Sequence, residues 1–388
     1  MTEVDAVVVG GGLIGGAIAF ELAAEKLRVL VLDRQQPGLE ASWAAAGMLA
    51  PGPDSPEAQP LVPLAKESLR LYPAFVAAVE EASGSKAGFA REGTVEVFLA
   101  PQGEAERDAI IAECCCFGLP AEALTLEAAR KMEPSLGPAA RAAAWLPGEA
   151  TVDPRLLTQA TLEAARQRGA EIRSRCAVTS LVREGHRCVG VVAGGERMAA
   201  GHVIIAAGCY SRSIGDGATG DELARYAPTH PVRGQMVALD SRGVGLRHVV
   251  RSSRGYLVPR GDRLVAGSTL ENAGFEKRVT PAGLAQILEA ARDIIPALAD
   301  AQVLESWAGL RPGTPDALPI LGPTDVEGLL IATGHYRNGI LLGPVTAKLV
   351  REWITKGRTS FDAEIFSPLR FAAAASHAGV RREASSRS

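Results

Sequence analysis

Three glycines close to the start of the chain have a spacing that suits dinucleotide binding. The segment GGGLIG contains Gly10, Gly12 and Gly15, and Asp33 ends the next apolar run. Glycine lets the backbone turn sharply and approach a pyrophosphate, which the N–H groups at a helix N-terminus attract. Asp33 can accept hydrogen bonds from ribose hydroxyls, which favours an adenosine ribose without a 2′-phosphate. The pattern predicts a bound dinucleotide but does not separate FAD from NAD, and glycines alone more often form a structural turn.

A second glycine-rich turn lies in the segment TGHYRNGILLGPVTAKLV. The sequence predicts a strand over Leu329 to Ala332 that runs into this turn, and a helix that starts near Gly339. The N-terminus of that helix could stabilise negative charge on the edge of a reduced flavin. The alternative is an ordinary β-α turn with no ligand, and the residues alone leave both open.

Arginine and histidine are the other side chains that could take part in chemistry. Arg311, in WAGLRPGTP, could hold a carboxylate by two parallel hydrogen bonds, although a lone arginine after a strand is more often a solvated charge. The six histidines do not cluster at metal spacing, and neither His230 nor His335 has an evident triad partner. We therefore expect no metal site and no nucleophilic catalysis.

The composition favours a soluble protein whose partner is a small molecule. A chain of 388 residues is long enough for two domains that share a cleft. Charged residues make up 22% and the net charge is −3, so neither nucleic acid nor an anionic membrane is expected as a partner. The N-terminus lacks the positive charge of a signal peptide, and no run approaches the roughly 18 apolar residues of a membrane span.

The cysteines indicate a reducing compartment. Cys114, Cys115 and Cys116 are adjacent and the other three are scattered, which gives neither a disulfide framework nor a zinc site. We expect the triplet to be buried or half-buried late in a helix from Glu104, and the protein to be cytoplasmic.

The elements that must position these residues follow from the apolar pattern. A buried strand over Val4 to Val9, a helix from Leu13 and a strand over Arg28 to Leu32 form a β-α-β unit. Between Thr229 and Thr269, alternating residues predict an antiparallel sheet. The other predicted elements are a proline-rich loop over Ala50 to Pro63, helices over Leu64 to Ala82, over Pro154 to Arg168 with Asp153 as N-cap and up to Arg351, and strands over Val178 to Val182, Cys188 to Val192 and Val203 to Ala206.

Four segments together resemble those of the glycine oxidases, within the D-amino-acid oxidase family. They are SWAAAGMLAP, RGYLVPR, WAGLRPGTPDALPILGP and GHYRNGILLGPVTA, and the resemblance spans nearly the whole chain. It implies an α/β (α+β) protein with a Rossmann-like FAD-binding domain and a second domain built on a mainly antiparallel sheet. The predicted FAD-binding domain comprises residues 1–84, 150–215 and 302–370, the substrate domain comprises residues 85–149 and 216–301, and residues 371–388 form a disordered tail.

The resemblance assigns FAD contacts to several segments. Leu13 and Ile14 would lie at the pyrophosphate, Asp33 and Arg34 near the adenosine, and Val178 at the adenine end. The flavin would be lined by Ala41, Ser42, Ala46, Gly47 and Met48, and its edge by His335, Tyr336, Arg337, Asn338, Gly339, Ile340 and Leu341. Relatives that attach flavin covalently can use a cysteine in the C-terminal half, but the last cysteine here is Cys209. We therefore expect FAD to be bound non-covalently.

For the substrate, the resemblance implies a carboxylate clamp. Arg311 would hold the carboxylate and Tyr256 would add a hydroxyl. Arg337, in the segment His335 to Leu341, would contribute either by its backbone carbonyl holding the amine or by its charge neutralising a nearby acid. Arg254 stands where glycine oxidases can carry a histidine, and it would form part of the pocket wall.

The implied reaction is oxidative deamination of glycine by hydride transfer to flavin N5, with O2 reduced to H2O2 and with glyoxylate or another keto acid and ammonia as products. In bacteria this branch supplies glycine imine for the thiazole of thiamine, which makes thiazole-synthesis enzymes implied partners. Sarcosine or small D-amino acids as substrates, an FAD dehydrogenase with another electron acceptor, and a flavin-binding protein without catalysis stay open. Relatives that form dimers or tetramers imply a homo-oligomer as an option.

Overall fold

The computed structural model describes residues 4–53, 55–215 and 222–371. The predicted tail lies outside these residues, apart from Phe371. The described strands are β1 (Val4–Val9), β2 (Val29–Leu32), β3 (Met48–Leu49), β4 (Thr94–Phe98), β5 (Glu122–Leu124), β6 (Ala142–Leu146), β7 (Ala150–Thr151), β8 (Glu171–Arg173), β9 (Val178–Glu184), β10 (Arg187–Ala193), β11 (Glu196–Ile205), β12 (His230–Asp240), β13 (Val249–Ser252), β14 (Gly255–Arg260), β15 (Arg263–Gly267), β16 (Val303–Gly313), β17 (Ile320–Pro323) and β18 (Leu329–Thr333).

The α-helices alternate with these strands along the chain. They are α1 (Leu13–Ala24), α2 (Ala41–Ala44), α3 (Val62–Ser83), α4 (Gly103–Cys116), α5 (Leu126–Met132), α6 (Pro154–Gln167), α7 (Glu222–Tyr226), α8 (Pro281–Ile294) and α9 (Gly343–Lys356). The 3-10 helices are Pro56–Leu61, Gly208–Ser213, Pro296–Asp300 and Glu364–Phe366.

The first sheet has the order β17-β18-β11-β1-β2-β8. β18, β11, β1, β2 and β8 run parallel, and β17 is antiparallel to β18. Successive residues of β1 enter different cores: Ala6 and Val8 pack with α1, α3, α6 and α9, whereas Val7 and Val9 pack with the β9-β10 hairpin and α7. A strand buried on both faces explains the continuous apolar run of the sequence.

The second sheet has the order β16-β12-β15-β14-β13-β4-β6-β5. Its strand pairs are antiparallel except for β13 and β4. α8 covers one face, where Ile287, Ala291 and Ile294 join the core with Val237 and Leu264. The opposite face carries Met236 and Ala238 towards α2. This two-sheet arrangement confirms the predicted fold class.

Strand β16 lies in the second sheet, within the range 302–370 that the sequence analysis assigns to the FAD-binding domain. β16 pairs with β12 from His230 opposite Gly313 to Leu239 opposite Val303, so residues 303–313 belong to the second sheet. The pattern of single strands could not show this, because the partner of a strand is set by tertiary contacts.

Three predicted element boundaries and one burial are corrected. Within the predicted loop, Pro56–Leu61 is a 3-10 helix and α3 begins at Val62, because prolines fit the first turn of each helix. α9 begins at Gly343 rather than near Gly339, and it continues past Arg351 to Lys356, where Gly357 in the left-handed region ends it. In α4, Cys114 is buried, but Cys115 and Cys116 are exposed.

Candidate active site

A cavity of about 360 Å³ lies where the two sheets meet. Its wall includes residues at or just after the carboxyl ends of four parallel strands, namely Val9, Leu32, Ala206 and Thr333. On the other side it reaches β12, β14 and β16 through Gly234, Tyr256 and Arg311. Ligands of open α/β sheets bind at this edge, so the fold brings a nucleotide-binding edge and the second sheet to one site.

The glycines of the first turn make room for the backbone of a neighbouring strand. Gly10 has φ +109°, and a Cβ there would lie 2.8 Å from the carbonyl carbon of Ala206. A Cβ at Gly15 would lie 3.0 Å from the carbonyl carbon of Gly10, so Gly15 serves the packing of α1 against β1 rather than the cavity wall. Side chains at either position would push the helix away from the sheet.

The N-terminus of α1 fits a pyrophosphate. Gly12 is its N-cap and lacks a side-chain cap, and the first turn carries no acidic residue. Gly10, Gly12 and Ile14 line the cavity, whereas the side chain of Leu13 is buried and its N–H donates to Ser42 Oγ over 2.9 Å. This glycine cradle, which a Cβ would fill, is suited to the diphosphate of FAD.

Asp33 and Arg34 lie on the cavity wall near this turn. Asp33 accepts from the N–H of Gly11 over 2.8 Å and from the N–H of Gln35 over 2.9 Å, which fixes the carboxylate at the end of β2. The Arg34 guanidinium lies 3.5 Å from the centre of the Tyr210 ring and 2.5 Å from Glu40. A fixed carboxylate beside a stacked ring suits an adenosine ribose. Val178 also lines the cavity.

Three side-chain donors hold the segment that begins with α2. Trp307 Nε1 donates to the Ala44 carbonyl over 3.1 Å, Arg155 Nε donates to the Trp43 carbonyl over 3.2 Å, and Arg260 Nη2 donates to the Ala46 carbonyl over 2.6 Å. Burial lowers the pKa of Arg260, and Asp153 offsets this only in part. The held segment contributes Ala41, Ser42, Ala46, Gly47 and Met48 to the cavity wall.

The loop before α9 lines another part of the cavity. His335, Tyr336, Arg337, Gly339 and Ile340 lie on the wall, but Asn338 and Leu341 do not. The N–H of Asn338 donates to the His335 carbonyl, and the buried Leu341 belongs to the helix-side core.

Two side chains of α3 hold this loop by hydrogen bonds to its backbone carbonyls. Ser68 Oγ donates to the Leu341 carbonyl over 2.6 Å, and the Tyr72 hydroxyl donates to the Ile340 carbonyl over 2.8 Å. Both Ser68 and Tyr72 are buried, and burial raises the pKa of Tyr72 far above its usual range.

His335 is a neutral residue in this loop. Burial lowers its pKa to about 3, and its Nε2 lies 3.0 Å from Thr346 Oγ1. An uncharged imidazole that packs against α9 cannot act as an acid or base near neutral pH, and it places no positive charge beside the helix N-terminus.

Arg311 lies on the cavity-facing side of the second sheet. Its Nη1 donates to the Thr269 carbonyl over 3.2 Å, and its Nη2 donates to Ser268 Oγ over 2.7 Å. Across the described part of the chain, no carboxylate forms an ion pair with Arg311. A half-buried guanidinium that lines a cavity without an internal anion can bind one from outside.

Tyr256 lies in a row across β12, β15 and β14, with Gly267 between it and Met236. The Tyr256 hydroxyl lies 3.3 Å from Met236 Sδ, and a Cβ at Gly267 would come within 2.5 Å of that sulfur and 2.9 Å of that hydroxyl. The small residue therefore lets the hydroxyl reach the cavity, which both Tyr256 and Met236 line.

The structure does not bring Arg254 into this cavity. The exposed Arg254 forms ion pairs with Asp293 and, over 3.7 Å, with Glu289, both on α8. It lies in the turn between β13 and β14, and α8 covers the face of the sheet opposite to Met236. We therefore remove Arg254 from the candidate site. Arg337, by contrast, lines the cavity with an exposed side chain.

Several wall residues were not predicted from the sequence. They are Glu40, Ala44, Tyr210, Gly234, Met236 and Ser268. Gly234 and Met236 lie two residues apart in a predicted strand, so the alternation of side chains could have placed them on one face. Nothing in the sequence signals that Tyr210 lies beside Arg34.

Two other features are absent from the described part of the chain, a metal-binding cluster and a membrane-spanning helix. In residues 4–53, 55–215 and 222–371, His, Cys, Asp and Glu side chains do not gather into groups that could hold a metal ion. No helix of that part of the chain has the length and apolar character needed to cross a membrane.

Comparison with known proteins identifies the family of the chain. Residues 5–353 match the DAO family, described as FAD dependent oxidoreductase. The glycine oxidase of Geobacillus kaustophilus is 35% identical over 94% of this chain and 97% of its own length. The crystal structure of glycine oxidase from that organism has a TM-score of 0.88 at 33% identity, over 95% of this chain and 98% of the other.

A second relative is longer than this chain. The bifunctional protein ThiO/ThiG of Synechocystis is 33% identical over 95% of this chain, which spans 54% of that protein. Together with the family match, these similarities confirm the predicted resemblance and the cofactor. This chain belongs to the DAO family of FAD-dependent oxidoreductases.

Proposed function

We propose that this enzyme oxidises glycine and related small amines. The observation that carries the proposal is Arg311, a guanidinium on the wall of the cofactor cavity that no carboxylate of the described residues neutralises. An amino acid supplies the missing anion through its carboxylate, and a planar guanidinium can hold it by two parallel hydrogen bonds. The relatives named glycine oxidase support a small substrate.

The residues of the chain would act by binding and orientation. Arg311 holds the carboxylate, and the Tyr256 hydroxyl donates a hydrogen bond to it. Arg337, in the loop before α9, contributes to binding of the amine. Bound FAD would supply the acceptor for the hydride that leaves the substrate's α carbon. Fixing the α carbon in one orientation supplies much of the rate, so no side chain is needed as general base.

The proposed overall reaction converts glycine, O2 and water to glyoxylate, ammonia and H2O2. The substrate loses two electrons and two protons to give an imine, which water hydrolyses to the keto acid and ammonia. O2 takes up the two electrons and two protons. We further propose that the imine supplies the thiazole of thiamine, for which the similarity to a ThiO/ThiG protein is the support.

Sarcosine and small D-amino acids are the nearest alternative substrates. They differ from glycine by one or a few methyl or methylene groups, each of which changes binding by only about 1 to 3 kcal/mol. A dehydrogenase that passes electrons to an acceptor other than oxygen is the alternative enzyme class.

The test is anaerobic mixing of the purified yellow protein with glycine, sarcosine, D-alanine and D-proline, followed by flavin absorbance. We expect rapid bleaching by glycine, loss of bleaching in Arg311→Ala, and H2O2 when air is admitted. Bleaching only by another amine would change the proposed substrate, and bleaching without H2O2 would favour the dehydrogenase. If none of the four amines bleaches the flavin, the proposed function is wrong.

The mode of FAD binding is tested on the same preparation. We propose that FAD is non-covalent, so acid precipitation should leave the yellow colour in the supernatant. Colour that stays in the pellet would show a covalent bond to the protein.

A further inference from the structure

The segment that holds Arg311 is itself held from the opposite face of the second sheet. Ser268 and Thr269, which accept the two hydrogen bonds of the guanidinium, directly follow β15. Side chains alternate along a strand. Arg311 and Gly234 therefore share the cavity face, whereas Arg233 and Gln235 of β12 lie on the face that α8 covers.

Backbone hydrogen bonds join this segment to β12. Arg233 and Glu271 exchange two N–H to carbonyl bonds of 2.9 Å each, and the N–H of Gln235 donates to Thr269 Oγ1 over 2.9 Å. The segment that contacts Arg311 is thus bonded to β12. This strand pairs with β16, which carries Arg311. A shift of this segment would move the acceptors of both Arg311 hydrogen bonds.

The carboxylate of Glu271 gathers four donors around this junction. Arg233 Nε at 3.1 Å and Arg233 Nη2 donate to one oxygen. Gln235 Nε2 at 2.7 Å and the Thr269 hydroxyl donate to the other. Burial alone would raise the pKa of Glu271, but the bonds from Thr269, Arg233 and Gln235 outweigh it and lower the pKa.

The Glu271 carboxylate is the main ion-pair partner of the buried Arg233 guanidinium. The Arg233 side chain is 7% exposed, and its other acidic partner, Glu276, is 3.7 Å away and 50% exposed. A buried guanidinium that loses its main partner costs far more than a surface ion pair contributes. Any change at Glu271 is therefore expected to move Arg233 and the segment bonded to it.

We infer that Arg233 and Glu271 are positioning residues for the substrate clamp, because they fix the Ser268–Thr269 acceptors that orient Arg311. Neither side chain lines the cavity, so they act through Arg311 and not by touching the substrate. The inference rests on the proposed function, in which Arg311 binds a carboxylate.

The test is titration of the FAD-loaded enzyme with acetate, followed by flavin absorbance, in wild type and Glu271→Gln. Acetate has the carboxylate of glycine without the amine, so its binding does not require turnover. The glutamine amide would place a donor where the carboxylate accepts only. We expect the Kd for acetate to rise about tenfold, and KM for glycine to rise more than kcat falls.

The matched control is Glu96→Gln. Glu96 accepts from Arg251 Nε over 3.0 Å and from Arg251 Nη2 over 2.9 Å, and the two residues are paired across β4 and β13 of the same sheet. Neither lines the cavity. This variant removes another half-buried carboxylate that is paired with an arginine, so it should reduce stability but leave the Kd for acetate unchanged.

The outcomes separate this inference from the proposed function. Equal acetate Kd values in Glu271→Gln and wild type would overturn the inference, and so would an equal rise in Glu96→Gln. If wild type binds acetate but glycine does not reduce its flavin, the proposed function fails while the positioning test still holds. If wild type does not bind acetate, the clamp itself is wrong and the inference falls with it. If Glu271→Gln loses FAD, the acetate titration is repeated with Glu271→Asp, which keeps the negative charge on a side chain one methylene shorter. An acetate Kd equal to that of wild type would again overturn the inference.

Discussion

Gly234 is the residue that gives the Arg311 guanidinium its place. A Cβ at Gly234 would lie 2.5 Å from Arg311 Cζ and closer to both terminal nitrogens. We predict that Gly234→Ala displaces the guanidinium and raises KM for glycine by at least about tenfold. The stability loss should stay below about 1 kcal/mol, because the atoms that must move are the far end of a flexible side chain.

The control for this prediction is Gly52→Ala. An added Cβ at Gly52 would have only Leu119 Cδ1 near it, at 4.0 Å. KM and kcat of both variants are measured with thermal unfolding alongside. An unchanged KM in Gly234→Ala would show that the guanidinium has another place from which to bind the substrate.

His335 makes the stability of the loop before α9 dependent on pH. Its pKa is about 3 in the folded protein and about 6.5 when exposed, so the unfolded chain binds the proton first. The stability that depends on neutral His335 is present above about pH 6.5 and is lost as the pH falls towards 3. This loss amounts to a few kcal/mol at the acid end, at about 1.4 kcal/mol for each pKa unit.

We predict that His335→Gln loses less stability between pH 7 and pH 4 than wild type. Glutamine offers an amide nitrogen near the place of Nε2 but does not titrate. The measurement is the free energy of unfolding by urea at several pH values, with His186→Gln, an exposed histidine, as control. Parallel pH curves for wild type and His335→Gln would contradict the assignment.

At the scale of elements, the loop after β15 connects the second domain to the adenosine side of the cavity. Phe275 stacks on Tyr210, with ring centres 5.0 Å apart, and Lys277 lies 2.9 Å from Glu40. Arg34 covers the Tyr210 ring at 3.5 Å. Because Arg34, Glu40 and Tyr210 line the cavity, the loop stabilises the wall that we assign to the adenosine of FAD.

We predict that Phe275→Ala weakens FAD binding without a large effect on folding. Phe275 is 50% exposed, and an aromatic pair contributes about 0.5 to 1.5 kcal/mol, which corresponds to a two- to tenfold rise in the Kd for FAD. FAD titration of the apoenzyme measures it. Lys86→Ala, which breaks the exposed pair with Glu80, should have the Kd of wild type. Equal Kd values in all three proteins would mean that the loop does not support the cofactor.

Elements were more predictable than their partners. The β1-α1-β2 unit and α6 with its Asp153 cap follow from local signals, namely an apolar run, a glycine turn and an N-cap before proline. The start of α9 could not be predicted, because GHYRNGILLG forms irregular turns that Ser68 and Tyr72 of α3 fix. Those bonds cross more than two hundred residues of sequence, and no local pattern contains them.

The same limit applies to the site as a whole. The glycine turn could be derived from residue types, and the places of Arg311 and Tyr256 came from the resemblance. The resemblance also assigned Arg254 to the pocket wall, but Arg254 forms ion pairs with α8 and lies outside the cavity. Arg254 lies in the turn between β13 and β14, where the alternation of side chains along a strand no longer fixes the face. A resemblance of segments gives the order of residues, and only the register of the strands decides which of them meet.

At the scale of the whole molecule, Glu305 joins the two domains. This residue of β16 accepts two hydrogen bonds from Arg155 of α6, over 3.0 and 3.1 Å, and another from Arg263. The Arg155 guanidinium also lies 3.6 Å from the Trp43 ring and 4.7 Å from the Trp307 ring. Burial alone would raise the pKa of Glu305, but the bonds from Arg155 and Arg263 lower it, so this stabilisation is lost as the pH falls through that lowered pKa.

We predict a larger coupling energy for Arg155 with Glu305 than for a surface pair. Both side chains are only 25% and 29% exposed and bond in a fork, so a double-mutant cycle to alanine should give about 1 to 2 kcal/mol. The control cycle uses Lys131 and Glu127, which are 75% and 79% exposed and should couple by less than about 0.5 kcal/mol. Arg155 also donates to the Trp43 carbonyl, in the segment that begins with α2 and lines the cavity. Each Arg155 variant should therefore bind FAD more weakly than its loss of folding free energy alone would explain. Equal coupling energies in the two cycles would mean that the domains are held together by their apolar contacts and not by this pair.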